Sequence, residues 1–440
     1  MPEVLTTPKI EVSSLEPKLH DRAPARERIP WSVWLAVAIA FVLRYGWVLV
    51  EHKYRYTLPN HFDFGQEMGA VARSLVSGRG FSSPFPEWSG PTTWVAPMYP
   101  FLMAGVFKSF GLYSTASALV MLALNCAFSA FTCVPIYLVG REVTTRRVSL
   151  YSAWLWAIIP QFMMWAVTWL WDAALDGLVL TTFTLITIRL SRCASRKQWI
   201  LFGAAWGLAA LLNPTMLTVA PFMLIYLAWN AHRRSEPWAG RFALCCLMVV
   251  LTITPWLVRN YLAFGKFVFI RGNFWAEMRF GNSIWADGTE LSFTHPEINQ
   301  YERQKYLTLG EQGYFAWKKH DTMEFLHQYP AFFRELCGRR VLLYWWDFDD
   351  YYGLPRDAIW AIGRRTFSTL ALVGMIWLFV KRRKGAFAVA SALCAFPLVN
   401  YISFPAARYR HVIEPLLLLC AVYALSQVRE FKKLFPADCP

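Results

Sequence analysis

Charge is scarce in this 440-residue chain: Asp, Glu, Lys and Arg together make up 17% of it, against 56% hydrophobic residues and a mean hydropathy of +0.31. A soluble protein of this length needs far more polar surface, so a soluble globular enzyme is excluded. Negative charge is the scarcer sign, with 29 acidic against 44 basic residues and a formal balance of +15. A basic balance can mark a nucleic-acid binder. Here the basic residues form short clusters between apolar runs, the placement of topology signals and lipid-headgroup contacts, so nucleic acid is not an expected partner. Cysteine builds no framework. Nine are present with no CxxC-type spacing, and Cys126, Cys133, Cys245, Cys246, Cys394 and Cys420 lie within apolar runs as small hydrophobes. Neither structural disulfides nor a thiolate zinc site is expected. Fixed-period repeats and low-complexity segments are lacking too. The first long apolar run begins late and has no small-residue cleavage site, unlike a removable signal.

What is present is a series of apolar windows of bilayer length. They predict an all-α polytopic membrane protein with about ten transmembrane helices, near 31–50, 115–140, 148–169, 174–190, 199–212, 214–230, 242–258, 366–380, 386–404 and 412–428. Asn213-Pro214 divides the fifth from the sixth, Asn suiting an N-cap and Pro the first helical position. Basic clusters at 141–147, 189–197, 232–241, 381–384 and 429–433 fall on one side, joined by Arg22, Arg26 and Arg28. The positive-inside rule then puts both termini in the cytoplasm. Residues 1–28 read as a disordered cytoplasmic tail, 29–433 as the membrane domain and 434–440 as a short cytoplasmic tail. Two long segments face the other way: an outer loop, 51–114, and an outer segment, 259–365, between the seventh and eighth spans. The latter has helical periodicity over 293–336 and predicts short helices on the membrane surface.

In "NHFDFGQEMGAVARSLVSGRG", from Asn60, apolar residues recur at Phe64, Met68, Val71, Ala72, Leu75 and Val76, the spacing of an amphipathic interfacial helix. Asp63 with Gln66 reads as a capping box and Gly78 as the stop. "MYPFLMAGVFKSFG" (98–111) is a second interfacial candidate. Asp63 and Glu67, four apart, share a face: either a cap plus an exposed charge, or a general base held beside a lipid-borne substrate. Asp172 at the outer end of the fourth span is either its N-cap or functional. Asp176, one turn deeper, is a functional candidate by its membrane depth, or pairs with Arg44 or Arg189. Arg259, Arg408, Arg410 and His411 put positive charge at the outer face against the usual bias, as headgroup anchors or as a phosphate site. Glu414 pairs with Arg410 or His411. Lys318 and Lys319 read as a solvated face or as phosphate contacts, and Trp165, Trp169 and Trp171 as an interfacial belt. His295, His320 and His327 lack tight ligand spacing, so no tightly bound metal or other cofactor is expected, although a divalent ion is left open.

The order of these features resembles the C-type glycosyltransferases (GT-C). One span is followed by an acidic residue opening an outer amphipathic helix, then by "ARSLVSGRGFSSPF...GPTTWVAPMYPFLMAGVFKSFG". The chain is most similar to the bacterial family 39-like members grouped with protein O-mannosyltransferases and lipid A aminoarabinose transferases. The likeness continues in "TPWLVRNYLAFGKFVFIRGNFWAEM", "YLTLGEQGYFAWKK" and "ARYRHVIEPLLLL". It implies transfer of a sugar from a polyprenyl-phosphate carrier to a lipid, glycan or protein acceptor on the periplasmic side of a bacterial inner membrane. Asp63, Glu67 and Asp172 are then the catalytic candidates, with Asp63 preferred over Glu67 as base for its place at the helix start. Arg259, Arg408, Arg410 and His411 would hold the donor phosphate, and Glu277 would position a sugar or the acceptor. The family's Tyr in the first loop is Met68 here, and Asp63 falls one residue out of its register. The alternative from another class is a transporter or lipid flippase, which explains the helix count and the Pro-interrupted segments equally well. A member that has lost activity also fits the irregular acidic motif.

Overall fold

A computed structural model describes residues 28–55, 64–346 and 358–428. Asp63, the tails and the cluster 429–433 lie outside the described residues. The chain is an all-α polytopic membrane protein. Its first helix, α1 (Trp31–Val50), is apolar apart from Ser32, Arg44 and Tyr45, and is followed by the short α2 (Gln66–Val76) and by α3 (Met98–Phe110). Then come α4 (Thr115–Phe131) and α5 (Cys133–Val143), nearly continuous across Thr132, and α6 (Arg146–Ile158), α7 (Met164–Val167) and α8 (Ala173–Leu190). Next are α9 (Arg196–Leu212), α10 (Ala220–Arg233), the 27-residue α11 (Trp238–Phe264) and α12 (Phe274–Gly281). The remainder comprises α13 (Gln300–Gln328), α14 (Pro330–Trp346), α15 (Ala358–Val380), α16 (Ala386–Ala395), α17 (Leu398–Ile402), α18 (Ala407–His411) and α19 (Glu414–Gln427).

Among the described residues, five helical stretches are long and apolar enough to cross a membrane: Trp31–Val50, Thr115–Val143, Ala173–Leu190, Pro214–Arg233 and Trp238–Phe264. Ala386–Ile402 and Glu414–Gln427 are shorter apolar helices. Helices pair where a missing side chain lets backbones meet. A Cβ on Gly203 of α9 would lie 2.3 Å from the Cys245 carbonyl of α11, and one on Gly374 of α15 1.9 Å from the Cys420 carbonyl of α19.

The expected span over 148–169 is not one helix. Pro160 disfavours helical geometry in the residue before it, so α6 stops at Ile158. Its last carbonyls would be orphaned in an apolar interior, and Arg44 of α1 satisfies them. The buried guanidinium donates to Trp156 O at 2.8 Å and Ala157 O at 3.0 Å, and its Nε to Ser129 Oγ at 2.9 Å. Arg44 is therefore not the partner of Asp176, and neither is Arg189, whose Nε lies 2.9 Å from Glu142. The predicted break at Asn213-Pro214 is present, with Asn213 Oδ1 accepting from Thr215 N at 3.0 Å.

In the outer segment the helices are long rather than short. α13 runs 29 residues with a kink at Gly310, whose φ of +67° lies in the left-handed region. Lys318 of α13 is not solvated: it is buried, paired with Glu302 at 2.8 Å, and does not line the cavity described below. Lys319 lies against the Trp275 ring. α2 begins at Gln66 behind a left-handed Gly65 with no side-chain cap, so Gln66 is the first helical residue and not the far end of a capping box. Gly78 does stop the helix, at φ +73°, with Arg79 N bonded to Ser74 O at 2.9 Å.

Candidate active site

A cavity of about 430 Å³ lies at the end of the bundle where α8 and α19 begin and α11 ends. Its wall is built from the start of α2, Trp94 and Val95, the entry to α8, the segment 269–298, and the turn carrying Arg408 and Tyr409. Of the candidates read from the sequence, Glu67, Asp172, Glu277 and Arg408 all line it, as does the second-rank Asp176.

The positive side is made by two guanidiniums. From α7 to the start of α8 the chain carries three tryptophans stacked in a buried column, with ring centroids of Trp165 and Trp169 4.6 Å apart. These rings form an interior column rather than an interfacial belt. Arg408 lies over the Trp171 ring at 4.3 Å, a cation–π contact, and donates to the Tyr409 hydroxyl at 2.9 Å. Arg271 donates from Nε to the Trp94 carbonyl at 3.1 Å and from Nη2 to Glu277 Oε1 at 3.3 Å, the oxygen that also accepts from Asn273 Nδ2 at 2.8 Å. This places Glu277 in the wall as the carboxylate that orients Arg271.

The first loop reaches Arg271 because a buried carboxylate holds it there. Glu311 of α13 accepts from Thr93 N at 2.6 Å, Thr93 Oγ1 at 2.7 Å and Tyr306 OH at 3.1 Å, and also from Thr92 Oγ1. Burial raises its carboxyl above the usual carboxylate range even against these donors. Gly272 completes the clasp. Its N–H donates to Thr93 O at 3.0 Å, and a Cβ there would lie 2.5 Å from Thr93 Oγ1.

The negative side is crowded. Glu67 pairs with His295 at 3.2 Å. Burial opposes the imidazolium, but the Glu67 bond and the charges of Glu67, Glu290 and Glu277 outweigh it and raise His295 above its usual range. Burial likewise opposes the Glu67 carboxylate, and His295 more than offsets it, so Glu67 is held low. Asp172 occupies the N-cap position of α8 yet makes no side-chain capping bond. Its side chain is thus available to the cavity, and burial raises its carboxyl although Arg271 and Arg408 pull it down. Glu290 is raised by burial against the same pull of Arg408. Raised carboxyls beside guanidiniums are what proton transfer near a phosphate calls for.

Three of the basic candidates do not reach the cavity wall. Arg259 turns onto the first loop, donating to Thr92 O at 2.8 Å and to Phe81 O, and so braces that loop from behind. Arg410 is buried and donates to Ser368 Oγ at 2.6 Å. His411 is buried, stacked on Trp156, and bonded to Glu414 at 2.7 Å. Arg408, Arg410 and His411 share a place before the last helix, but successive residues of a short helix point in different directions. The sequence reading missed Arg271, although it stands inside one of the stretches carrying the family resemblance. It missed Glu290 altogether, a lone acid in a loop with no pattern around it. Among the described residues, no group of three or more His, Cys, Asp or Glu is arranged to hold a metal ion.

Residues 94–258 match the dolichyl-phosphate-mannose-protein mannosyltransferase family. Among solved structures, the archaeal oligosaccharyltransferase AglB from Archaeoglobus fulgidus aligns with a TM-score of 0.50 in its complex with an inhibitory peptide and a dolichol-phosphate. The apo form of the Archaeoglobus fulgidus oligosaccharyltransferase gives 0.51, both at 15% identity over 92% of this chain and 50% of that one. The chain therefore spans about half the length of those oligosaccharyltransferases. ArnT from Cupriavidus metallidurans, solved bound to undecaprenyl phosphate, aligns at 12% identity and a TM-score of 0.39 over 89% of this chain and 76% of its own. No curated protein matches by sequence. By fold this all-α membrane protein is similar to those oligosaccharyltransferases, and residues 94–258 carry the match to the mannosyltransferase family.

Proposed function

We propose that this protein transfers a sugar from a polyprenyl-phosphate carrier to a hydroxyl of a lipid, glycan or protein acceptor, at the periplasmic face of a bacterial inner membrane. The observation that carries this reading is the convergence of Arg271 and Arg408 with Glu67 and Asp172 on one cavity at a single end of an apolar bundle. The lipid carrier phosphate bound in a structural neighbour supports the carrier class: AglB holds a dolichol-phosphate.

In this reading the carrier tail stays in lipid and its phosphate sits against Arg408 and Arg271. An acceptor hydroxyl attacks the anomeric carbon. Its proton passes to a carboxylate, with Asp63, Glu67 and Asp172 as the candidates, and the bond from sugar to phosphate breaks. The phosphate leaves with an added negative charge, which two fixed guanidiniums in a water-poor site stabilise far better than water does. Glu67 suits an orienting or proton-accepting role because His295 keeps it ionised. Asp172 suits transfer because burial raises its proton affinity above that of an ordinary carboxylate. Glu277 acts through Arg271 rather than on the sugar. Both termini lie in the cytoplasm on the charge pattern of the connecting segments.

The test is a transfer assay with purified protein and radiolabelled polyprenyl-phosphate sugars. Asp63→Asn, Glu67→Gln, Asp172→Asn and Arg408→Ala run alongside. Loss of a residue contacting the leaving phosphate is expected to slow transfer about 100-fold or more. Transfer that survives all four changes overturns the site. Lipid or solute flux without transfer identifies a flippase or transporter instead.

A further inference from the structure

One cavity group has no part in the transfer just described. Asp176 lies on α8 one helical turn, about 5.4 Å, further into the bundle than Asp172, and is 1% exposed. Its Oδ2 accepts from Asn213 Nδ2 at 2.6 Å. The orientation of that amide is not free. Asn213 Oδ1 is committed to Thr215 N at the start of the turn Pro214–Thr218, so the NH₂ must face α8. The other oxygen, Oδ1, is buried and has no hydrogen-bonding partner among the described residues. A buried carboxylate oxygen without a donor is costly, and deep within a membrane protein such a group marks a ligand contact.

Resting on the proposed function, we infer that Asp176 Oδ1 accepts a hydrogen bond from an O–H or N–H group of the carrier-borne sugar, making Asp176 and Asn213 a sugar-recognition pair at the floor of the cavity. The placement fits. Arg408 stacks on Trp171, directly before α8, so a phosphate held there leaves its sugar to extend along the first turn of α8. The chain after α18 follows that turn closely, since a Cβ on Gly177 would lie 3.7 Å from the Val412 carbonyl. The donor's sugar is thus confined between α8, Val412 and the Asn213 break, all of which line the cavity. Asn213 acts only by fixing the carboxylate, as a positioning residue.

The experiment compares binding of two ligands by wild type, Asp176→Asn and Asp176→Ala. One is unglycosylated polyprenyl phosphate. The other is the tightest binder among polyprenyl-phosphate mannose, glucose, galactose and N-acetylglucosamine. A site built around a sugar hydroxyl loses about 10- to 100-fold in affinity when the acceptor goes. Both variants should therefore weaken the sugar-loaded carrier by that factor and leave the bare carrier within about twofold. Bare-carrier binding also reports that the variant is folded. If Asp176→Ala does not fold, the isosteric Asp176→Asn is read alone. Equal weakening of both ligands means Asp176 only braces the Asn213 break, and overturns the inference. Unchanged binding of both overturns it too. If wild type binds neither ligand, the proposed function falls with it. If wild type binds both and the variants weaken both alike or neither, the inference alone falls.

Discussion

Replacing Glu311 with Leu should loosen the first loop from the rest of the protein. The side chain is buried and gathers four donors: the Thr93 N–H, the Thr92 and Thr93 hydroxyls, and the Tyr306 hydroxyl. Leucine fills similar space and accepts nothing. The three hydroxyls can rotate toward other acceptors, but the Thr93 N–H is fixed by its backbone. A buried donor left unmade costs about 1–3 kcal/mol. With one donor stranded and three weakened, the loss should come to roughly 3–5 kcal/mol. Glu311→Gln keeps one acceptor oxygen and should lose only about 1–2 kcal/mol. Equilibrium unfolding in mixed micelles measures both. A second readout follows from the chain of contacts. Thr93 sets Trp94, whose carbonyl holds Arg271 Nε, so carrier affinity should fall in the same order, Leu below Gln below wild type. A leucine variant as stable as wild type, within about 0.5 kcal/mol, would refute the idea that this carboxylate holds the loop.

Glu297→Gln should stabilise the protein at alkaline pH and leave it unchanged in acid. Burial first, then the like charge of Glu67, raise this carboxyl from 4.5 to about 7, overriding its ion pair with Arg303 at 3.3 Å. A raised carboxyl contributes stability that is full below 4.5 and lost as pH climbs through 7. The gain on removing it should reach about 3 kcal/mol above pH 8, read as unfolding against pH, and a gain independent of pH would count against the assignment. Gly374→Ala puts a Cβ 1.9 Å from the Cys420 carbonyl, and separating α15 from α19 should cost about 1–3 kcal/mol in the same assay. Arg44→Met strips the α6 terminus of its donors, and a loss of about 2–4 kcal/mol is expected, with Arg44→Lys recovering only part because a single ammonium cannot span the same carbonyls.

Architecture was legible from the sequence wherever one local rule governed it. Bilayer-length apolar windows find α1, α8 and α11, Asn213-Pro214 marks a real break, and Gly78 ends α2. The rule fails over 148–169, because hydropathy does not register that Pro160 halts the backbone while apolar residues continue. It fails in part at Gln66, which opens the helix behind a left-handed Gly65 instead of closing a capping box. The site was legible by residue type more than by position. Arg408 and Arg410 are two apart and chemically alike, yet one lies over Trp171 beside the cavity and the other is buried against Ser368. Arg259 looked equivalent to both and instead braces a loop. Glu290 and Arg271 come to the wall only through the path of the segment 265–298, which carries no periodic pattern to predict it. Lys318 could not have been read as buried without knowing that Glu302, four turns earlier on a kinked helix, folds back to meet it.

The tryptophan column beneath Arg408 bears on how a lipid-linked donor would be received. Its guanidinium rests on one ring and is tethered to Tyr409, while that of Arg271 is held by a backbone carbonyl and Glu277. Ordering a long side chain at the moment of association costs about 0.5–1.5 kcal/mol. Here that loss of freedom is already incurred during folding, so the receptor is stiff before anything docks. Such stiffness favours discrimination by shape: headgroups of the wrong outline are turned away instead of being moulded around.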